Sequence, residues 1–263
     1  VPEVRWFDIR GMTLSNAELA SLGPQERARA AAFIFATDRH RYQAAHVALR
    51  QVLSRRTGIP PGQLEFGREP CPRCGGRNGR PTLVNHGDLH FSMSHSADAV
   101  VIASSAAPVG IDMERIVRRC SCDLAGAMHE ADAARVRRLP EPRRHVAIMR
   151  WWVAAEAVLK CIGAGIAHGM ADFPVLGGPA SGEEEAASRA AGACGLAQRT
   201  AGCWLLAVAA PPGYTAAIAL RAAGPCAPVV YSLRARTRPV GSGRTGGAGY
   251  AAATASRDKG SVQ

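Results

Sequence analysis

The chain has 263 residues, 47% hydrophobic and 20% charged, a globular composition with room for one large or two small domains. No run of about 18 apolar residues exists, which excludes a membrane-spanning helix, and Val1-Pro-Glu-Val-Arg-Trp-Phe7 lacks the pattern of a signal peptide. The formal charge of +11 points to an acidic partner, but seven Lys and Arg against one Asp place +6 of it from Arg221 onward.

Residues 1–23 predict a strand over Val4, Trp6 and Ile9, then a helix opened by the Ser15/Glu18 capping box. Pro24 starts a second helix at a tolerated first-turn position. Asp38 to Arg56 predicts a long helix with Tyr42, Ala45, Leu49, Val52 and Leu53 on its apolar stripe. Gly58 and Pro60-Pro61 end it, and most of its five arginines read as a solvated face. Residues 70–81 predict a loop, with three Pro and no periodicity. Within it Cys71-x-x-Cys74 is half of a zinc knuckle. Cys120-x-Cys122 or His86 would complete it only by tertiary proximity, and free thiols in a tight turn are the other reading. Without a secretory signal, the eight cysteines are expected as free thiols in the cytoplasm.

Phe91-Ser-Met-Ser-His-Ser96 and Ala99–Ser104 predict neighbouring strands joined by a turn at 97–98, and Val109–Glu114 predicts a third. In that third strand Ile111 and Met113 alternate with Asp112 and Glu114. A period of 2 therefore turns the apolar pair to a core and both carboxylates to the other face. Two carboxylates on one face repel unless something positive lies between them. A hard divalent cation is the natural candidate, and a solvated edge strand is the plain alternative. After a polar stretch at 115–122, Glu130–Arg138 predicts an exposed helix, and Pro140 and Pro142 break the chain. Arg143 to Ile162 is the strongest predicted helix. It carries Trp152, Glu156 and Lys160 on one face at a spacing of four, either a surface ion pair or a carboxylate and ammonium shown together to a phosphate and metal. Residues 172–176 predict a strand, 177–195 a loop, and 203–210 and 214–220 strands around Pro211-Pro-Gly213. The tail after 220 is rich in Gly, Ala, Ser and Arg and is expected to be disordered.

Phe-Ser-Met-Ser-His-Ser, then Gly-Ile-Asp-Met-Glu, then Trp-x-x-x-Glu-Ala-x-x-Lys follow in that order. This combination resembles the Sfp-type 4′-phosphopantetheinyl transferases over most of residues 5–220, with Arg39-His-Arg-Tyr42 and Gly79-Arg-Pro81 as further matching pieces. The resemblance implies an α+β fold: a pseudo-dimer of two similar halves, 1–107 and 108–220, followed by the tail 221–263. It implies transfer of the 4′-phosphopantetheine of coenzyme A to a serine of an acyl or peptidyl carrier protein, with Mg²⁺ and release of 3′,5′-ADP. Asp112, Glu114 and Glu156 would then hold Mg²⁺, and Glu156 or a metal-bound water would take the serine proton, with Asp112 and Lys160 assisting. Arg41, Arg80, Pro81, Ser94, His95 and Lys160 would contact coenzyme A, and Arg27 and Arg29 align loosely with further basic contacts. A cytoplasmic monomer with no nucleic-acid or membrane partner is expected.

The sequence departs from the family pattern at Ala155, usually Lys, at Ala164 between two glycines, and at Arg80 in place of Lys. Two other functions remain open: a weakened homologue that only binds coenzyme A or carrier protein, and a zinc-knuckle nucleic-acid module built on Cys71, Cys74 and the basic tail.

Overall fold

A computed structural model describes residues 1–84, 86–116, 124–165, 169–177, 197–224 and 228–233. The expectations for 117–122 and 178–195, and for the tail beyond 233, lie outside the described residues. In chain order the elements are β1 (Glu3–Asp8), α1 (Asn16–Ala20), α2 (Pro24–Ala31), α3 (Ala36–Thr57), β2 (Phe66–Arg68) and β3 (Pro81–Leu83). There follow β4 (His90–Ser96), β5 (Ala99–Ser105), β6 (Val109–Arg115), α4 (Glu130–Arg138), α5 (Glu141–Ile162), β7 (Gln198–Thr200), β8 (Cys203–Ala207), β9 (Tyr214–Leu220) and β10 (Val229–Leu233).

Two four-stranded sheets carry the fold, ordered β10-β1-β5-β4 and β6-β9-β8-β7. Strand alternation sorts their side chains into three apolar layers. Ile9, Val100 and Ile102 pack under Leu49, Val52 and Leu53 of α3. Val4, Trp6, Val101 and Ala103 of the first sheet meet Ile111, Met113, Leu206 and Ile218 of the second. Leu205, Ala217 and Ala219 turn the other way, onto Trp151, Val153, Ala157 and Val158 of α5. The order is thus helix, sheet, sheet, helix. β4 and β6, each at the edge of its own sheet, lie alongside one another.

Several expectations are corrected. Residues 172–176 form no strand: the N–H groups of Val175 and Leu176 donate to the Asp132 carboxylate at 2.8 and 3.0 Å. That carboxylate is fully buried, so α4 is not an exposed helix but presents Asp132, Ala133 and Val136 inward. Pro142 lies in the first turn of α5 and does not break it, because that turn needs no donor from it. Arg50 is no solvated residue. It is 2% exposed and paired with Glu26 at 2.7 Å, with Nη1 donating to the Pro61 and Leu64 carbonyls. The stretch expected to be disordered from 221 contains a strand: Val229–Leu233 pairs in parallel with β1, its β-branched and aromatic residues suiting the edge of a sheet.

Candidate active site

The seam between β4 and β6 is made by hydroxyls. Ser92, Ser94 and Ser96 share one face of β4 by the period of 2, and all three reach β6. The Ser92 hydroxyl oxygen accepts from the Ile111 N–H at 3.1 Å. Ser94 donates to Asp112 Oδ1 at 2.7 Å, and Ser96 donates to Glu114 Oε2 at 2.6 Å while accepting from the Arg115 N–H at 3.1 Å. Hydrogen bonds to charged acceptors are worth about 1.5–3 kcal/mol each, so this row fixes both carboxylates of β6.

On the other side of β6 runs α5. Gly110 sets the approach: a Cβ there would lie 2.0 Å from the Ala157 carbonyl oxygen and 2.4 Å from the Cys161 nitrogen. Only glycine lets helix backbone lie this close to strand. The result is that Lys160 Nζ reaches Asp112 Oδ1 at 2.6 Å and the Ile111 carbonyl at 3.3 Å. The ammonium crosses to the strand, and the pair that forms is not the i, i+4 pair with Glu156.

Three carboxylates therefore share one neighbourhood with one ammonium. Burial raises the pKa of Glu156, Lys160 opposes this, and Asp112 and Glu114 reinforce it. Burial likewise raises that of Glu114, with Asp112 adding and the Ser96 hydrogen bond subtracting. Asp112 is 4% exposed, and its Oδ2 has no hydrogen-bond partner among the described residues. A buried carboxylate oxygen without a donor, beside two carboxylates that resist ionisation, fits a hard cation. Among the described residues no three acidic, His or Cys side chains already stand in a metal-holding arrangement, and Lys160 is the positive group at Asp112.

Beside this cluster opens a cleft of about 960 Å³ that runs from Lys160 and Gly163 along Arg80 and Pro81 to His46, Tyr42 and Arg29. His46 Nδ1 meets Glu26 at 2.9 Å, and its ring stacks on Tyr42 at 4.1 Å. Burial pushes the Glu26 pKa up, but contacts from His46, the Gly23 N–H and Arg50 outweigh it and leave it lowered.

The other expected contacts divide. Arg80 and Pro81 line the cleft, but Arg80 Nη1 donates to the Cys161 carbonyl at 2.6 Å and Nη2 to Glu69 at 2.7 Å, so its guanidinium braces the end of α5. Arg41 is held by Asp98 at 2.9 Å and by Asp38 at 3.4 Å, and it does not line the cleft. Ser94 binds Asp112, as above. His95, its neighbour, falls on the opposite face of β4, where desolvation, then His46 and Lys160, lower its pKa. Of the loosely aligned pair, Arg29 lines the cleft and Arg27 turns back to the Leu22 carbonyl.

Family comparisons match the two sides of this seam separately. The model described as 4′-phosphopantetheinyl transferase, N-terminal, matches residues 13–107, and that of the 4′-phosphopantetheinyl transferase superfamily matches 108–219. The chain belongs to the 4′-phosphopantetheinyl transferase superfamily. It is 33% identical over 152 residues to 4′-phosphopantetheinyl transferase psf-1 of Bacillus pumilus, covering 57% of this chain and 61% of that protein. It is 32% identical over 156 residues to 4′-phosphopantetheinyl transferase HetI of Nostoc sp., covering 56% and 62%. With 4′-phosphopantetheinyl transferase Sfp of Bacillus subtilis it shares 28% over 97 residues, 37% and 40% of the two chains. The matches to psf-1 and HetI thus span about three fifths of those relatives' own length.

Within this family site, sequence reasoning missed Gly110, Ser92, Ser96 and the Glu26–His46–Arg50 cluster. The first three had a legible signal: a glycine inside a strand pattern, and serine at every second position of Phe91–Ser96. The cluster had none, because Glu26 and Arg50 lie on helices separated by a turn.

Proposed function

We propose that this superfamily member transfers 4′-phosphopantetheine from coenzyme A to a serine of an acyl or peptidyl carrier protein, releasing 3′,5′-ADP. The observation that carries the proposal is the gathering of Asp112, Glu114, Glu156 and Lys160 at one seam, beside a cleft large enough for a nucleotide. Asp112, Glu114 and Glu156 are the residues that would hold Mg²⁺, which when bound neutralises charge developing on the phosphates. Phosphoryl transfer asks the protein chiefly for positioning and electrostatics. Lys160 brings a point charge to the phosphate side of the cleft. Arg80 keeps the end of α5, and so Lys160, in place against the loop that lines the cleft. Pro81 and Arg29 line the cleft proposed for the coenzyme A nucleotide, and His95 is not among its lining residues. Glu156, desolvated and therefore a stronger proton acceptor once ionised, takes the proton of the carrier serine.

In this reading residues 1–107 and 108–220 are two halves of one pseudo-dimeric chain. The first supplies hydroxyls and cleft walls, the second carboxylates and the ammonium. One chain holds both sides of the site, so it acts as a monomer in the cytoplasm, where coenzyme A meets carrier proteins. No described helix is long and apolar enough to cross a membrane.

The test is the intact mass of apo acyl and peptidyl carrier proteins after incubation with the protein, coenzyme A and Mg²⁺. A gain of one phosphopantetheine, abolished by EDTA, is expected. No gain on any carrier at micromolar protein would overturn the proposal.

A further inference from the structure

The two thiols of the Cys71-x-x-Cys74 turn have no role in the chemistry described above. It is closed by two backbone bonds: the Cys71 N–H donates to the Gly76 carbonyl at 2.7 Å, and the Gly75 N–H to the Cys71 carbonyl at 2.8 Å. Gly75 permits this at φ +68°, a left-handed conformation. Cys71 is buried and Cys74 is exposed. The N–H groups of Arg73 and Cys74 lower the pKa of the Cys71 thiol, burial opposes them, and the Cys74 thiol and the Gly165 N–H assist. The Cys74 sulfur lies over Gly76, 3.3 Å from where a Cβ would be. Around the turn, Arg73 pairs with Asp172, Pro72 packs near Gly163, and Pro70 and Gly75 line the cleft.

A zinc ion would need more than these two sulfurs, and among the described residues no group of three or more metal-ligating side chains exists. The other described cysteines, Cys161 and Cys203, have sulfurs 3.5 Å apart, but both are buried and the Cys161 thiol is pushed far up in pKa, chiefly by Cys203 and by burial. An outside reagent reaches Cys74 and not these.

We propose that Cys71 and Cys74 form a reversible dithiol–disulfide site that reacts with small disulfides in solution, Cys74 as the point of attack and Cys71 as the resolving thiol. In the first step the Cys74 thiolate attacks one sulfur of the disulfide. A Cys74–S–S–R bond forms, the R–S–S–R bond breaks, and one RSH leaves with a proton. The Cys71 thiolate then attacks the Cys74 sulfur and expels the second RSH. Overall two cysteine thiols are oxidised to one disulfide while the small disulfide is reduced to two thiols. The bond would lock a turn that forms one wall of the cleft. This chemistry stands whether or not the chain is a transferase.

The experiment is peptide-mapping mass spectrometry of the reduced full-length chain after timed exposure to glutathione disulfide. In the native protein the first linkage expected joins Cys71 to Cys74, with loss of two hydrogens, and dithiothreitol reverses it. Cys71→Ser should accumulate a single glutathionyl group on Cys74. Cys74→Ser should leave Cys71 at least tenfold slower to react, with thermal melts showing both variants folded. A first linkage at any other pair, or equal reactivity of the two single variants, overturns the assignment. So does stoichiometric zinc in the purified protein.

Discussion

The two edges that meet at the seam are built from opposite materials. β4 brings three neutral hydroxyls, each with a partner on β6. β6 and α5 bring three carboxylates and one ammonium, and Glu114 and Glu156 are held in states that disfavour their charge. Neutral donors are cheap to bury once paired, whereas buried charges are costly even when paired. The hydroxyl edge therefore aligns the two sheets, and the carboxylate edge stores an imbalance that the proposed cation would correct. Changes on the two edges should separate accordingly.

The largest effect is expected on the charged side. Glu156→Gln should lower transfer to carrier proteins by about 100-fold or more while the melting temperature holds or rises, since a desolvated charge is removed without loss of shape. Retained transfer would remove Glu156 from its proposed role. Gly110→Ala should destabilise by about 3 kcal/mol in urea unfolding, because its Cβ would overlap the Ala157 carbonyl oxygen and force α5 off the strand. An unchanged midpoint would mean that the close approach is not required.

Ala155→Lys comes next. The family's usual lysine at this position suggests a charge beside the site, yet Ala155 is 0% exposed within the α5 core. Introducing the lysine should cost about 2–4 kcal/mol of stability with no gain in transfer rate. A faster enzyme of undiminished stability would show that the side chain escapes to the site.

The raised carboxylates also give the seam a pH signature. Glu114 and Glu156 bind protons more tightly in the folded chain than at their ordinary value of 4.5. Just above that value the folded state carries more protons than the unfolded one, so without Mg²⁺ stability should fall as pH rises through this window. Mg²⁺ bound as proposed would compete with those protons, and the rise in melting temperature it produces should grow over the same window. A rise independent of pH would take both residues out of the ion's ligand set. Thermal melts across pH in EDTA and in MgCl₂ make the measurement. The smallest effect belongs to the hydroxyl edge: Ser94→Ala should cost about 1–3 kcal/mol by unfolding titration and reduce transfer less than Glu156→Gln. An equal loss of transfer would give Ser94 a direct part in the chemistry.

Much of this was legible in the residues because period decides direction. Alternation along Val109–Glu114 placed Ile111 and Met113 in the core and both carboxylates opposite, and helical spacing put Glu156 and Lys160 on one face. What could not be read was which partner each charge would choose. Lys160 meets Asp112 across the strand because Gly110 admits the helix, a tertiary fact no i, i+4 rule contains. Arg41 and Arg80 fit a basic motif equally well whether they face a ligand or their own chain, and the structure pairs them with Asp98 and with the Cys161 carbonyl. Residues 172–176 look like a strand, yet the amides of Val175 and Leu176 belong to Asp132, whose own helix looked solvated because a buried aspartate is invisible to a polarity pattern.

β10 has a consequence for how the molecule is made. It lies beside β1, with Glu3 in register with Val229, so the first sheet joins chain ends separated by nearly the whole described sequence. Such a pairing has very high contact order, and its loop-closure entropy must be met before its hydrogen bonds form. On the ribosome β1 must therefore wait with that edge bare until β10 emerges, while β6, β8 and β9 can already assemble around α5. The nascent chain should hold its charged edge before its first sheet is complete, and exposed backbone at β1 is where a chaperone or a second nascent chain would first find purchase.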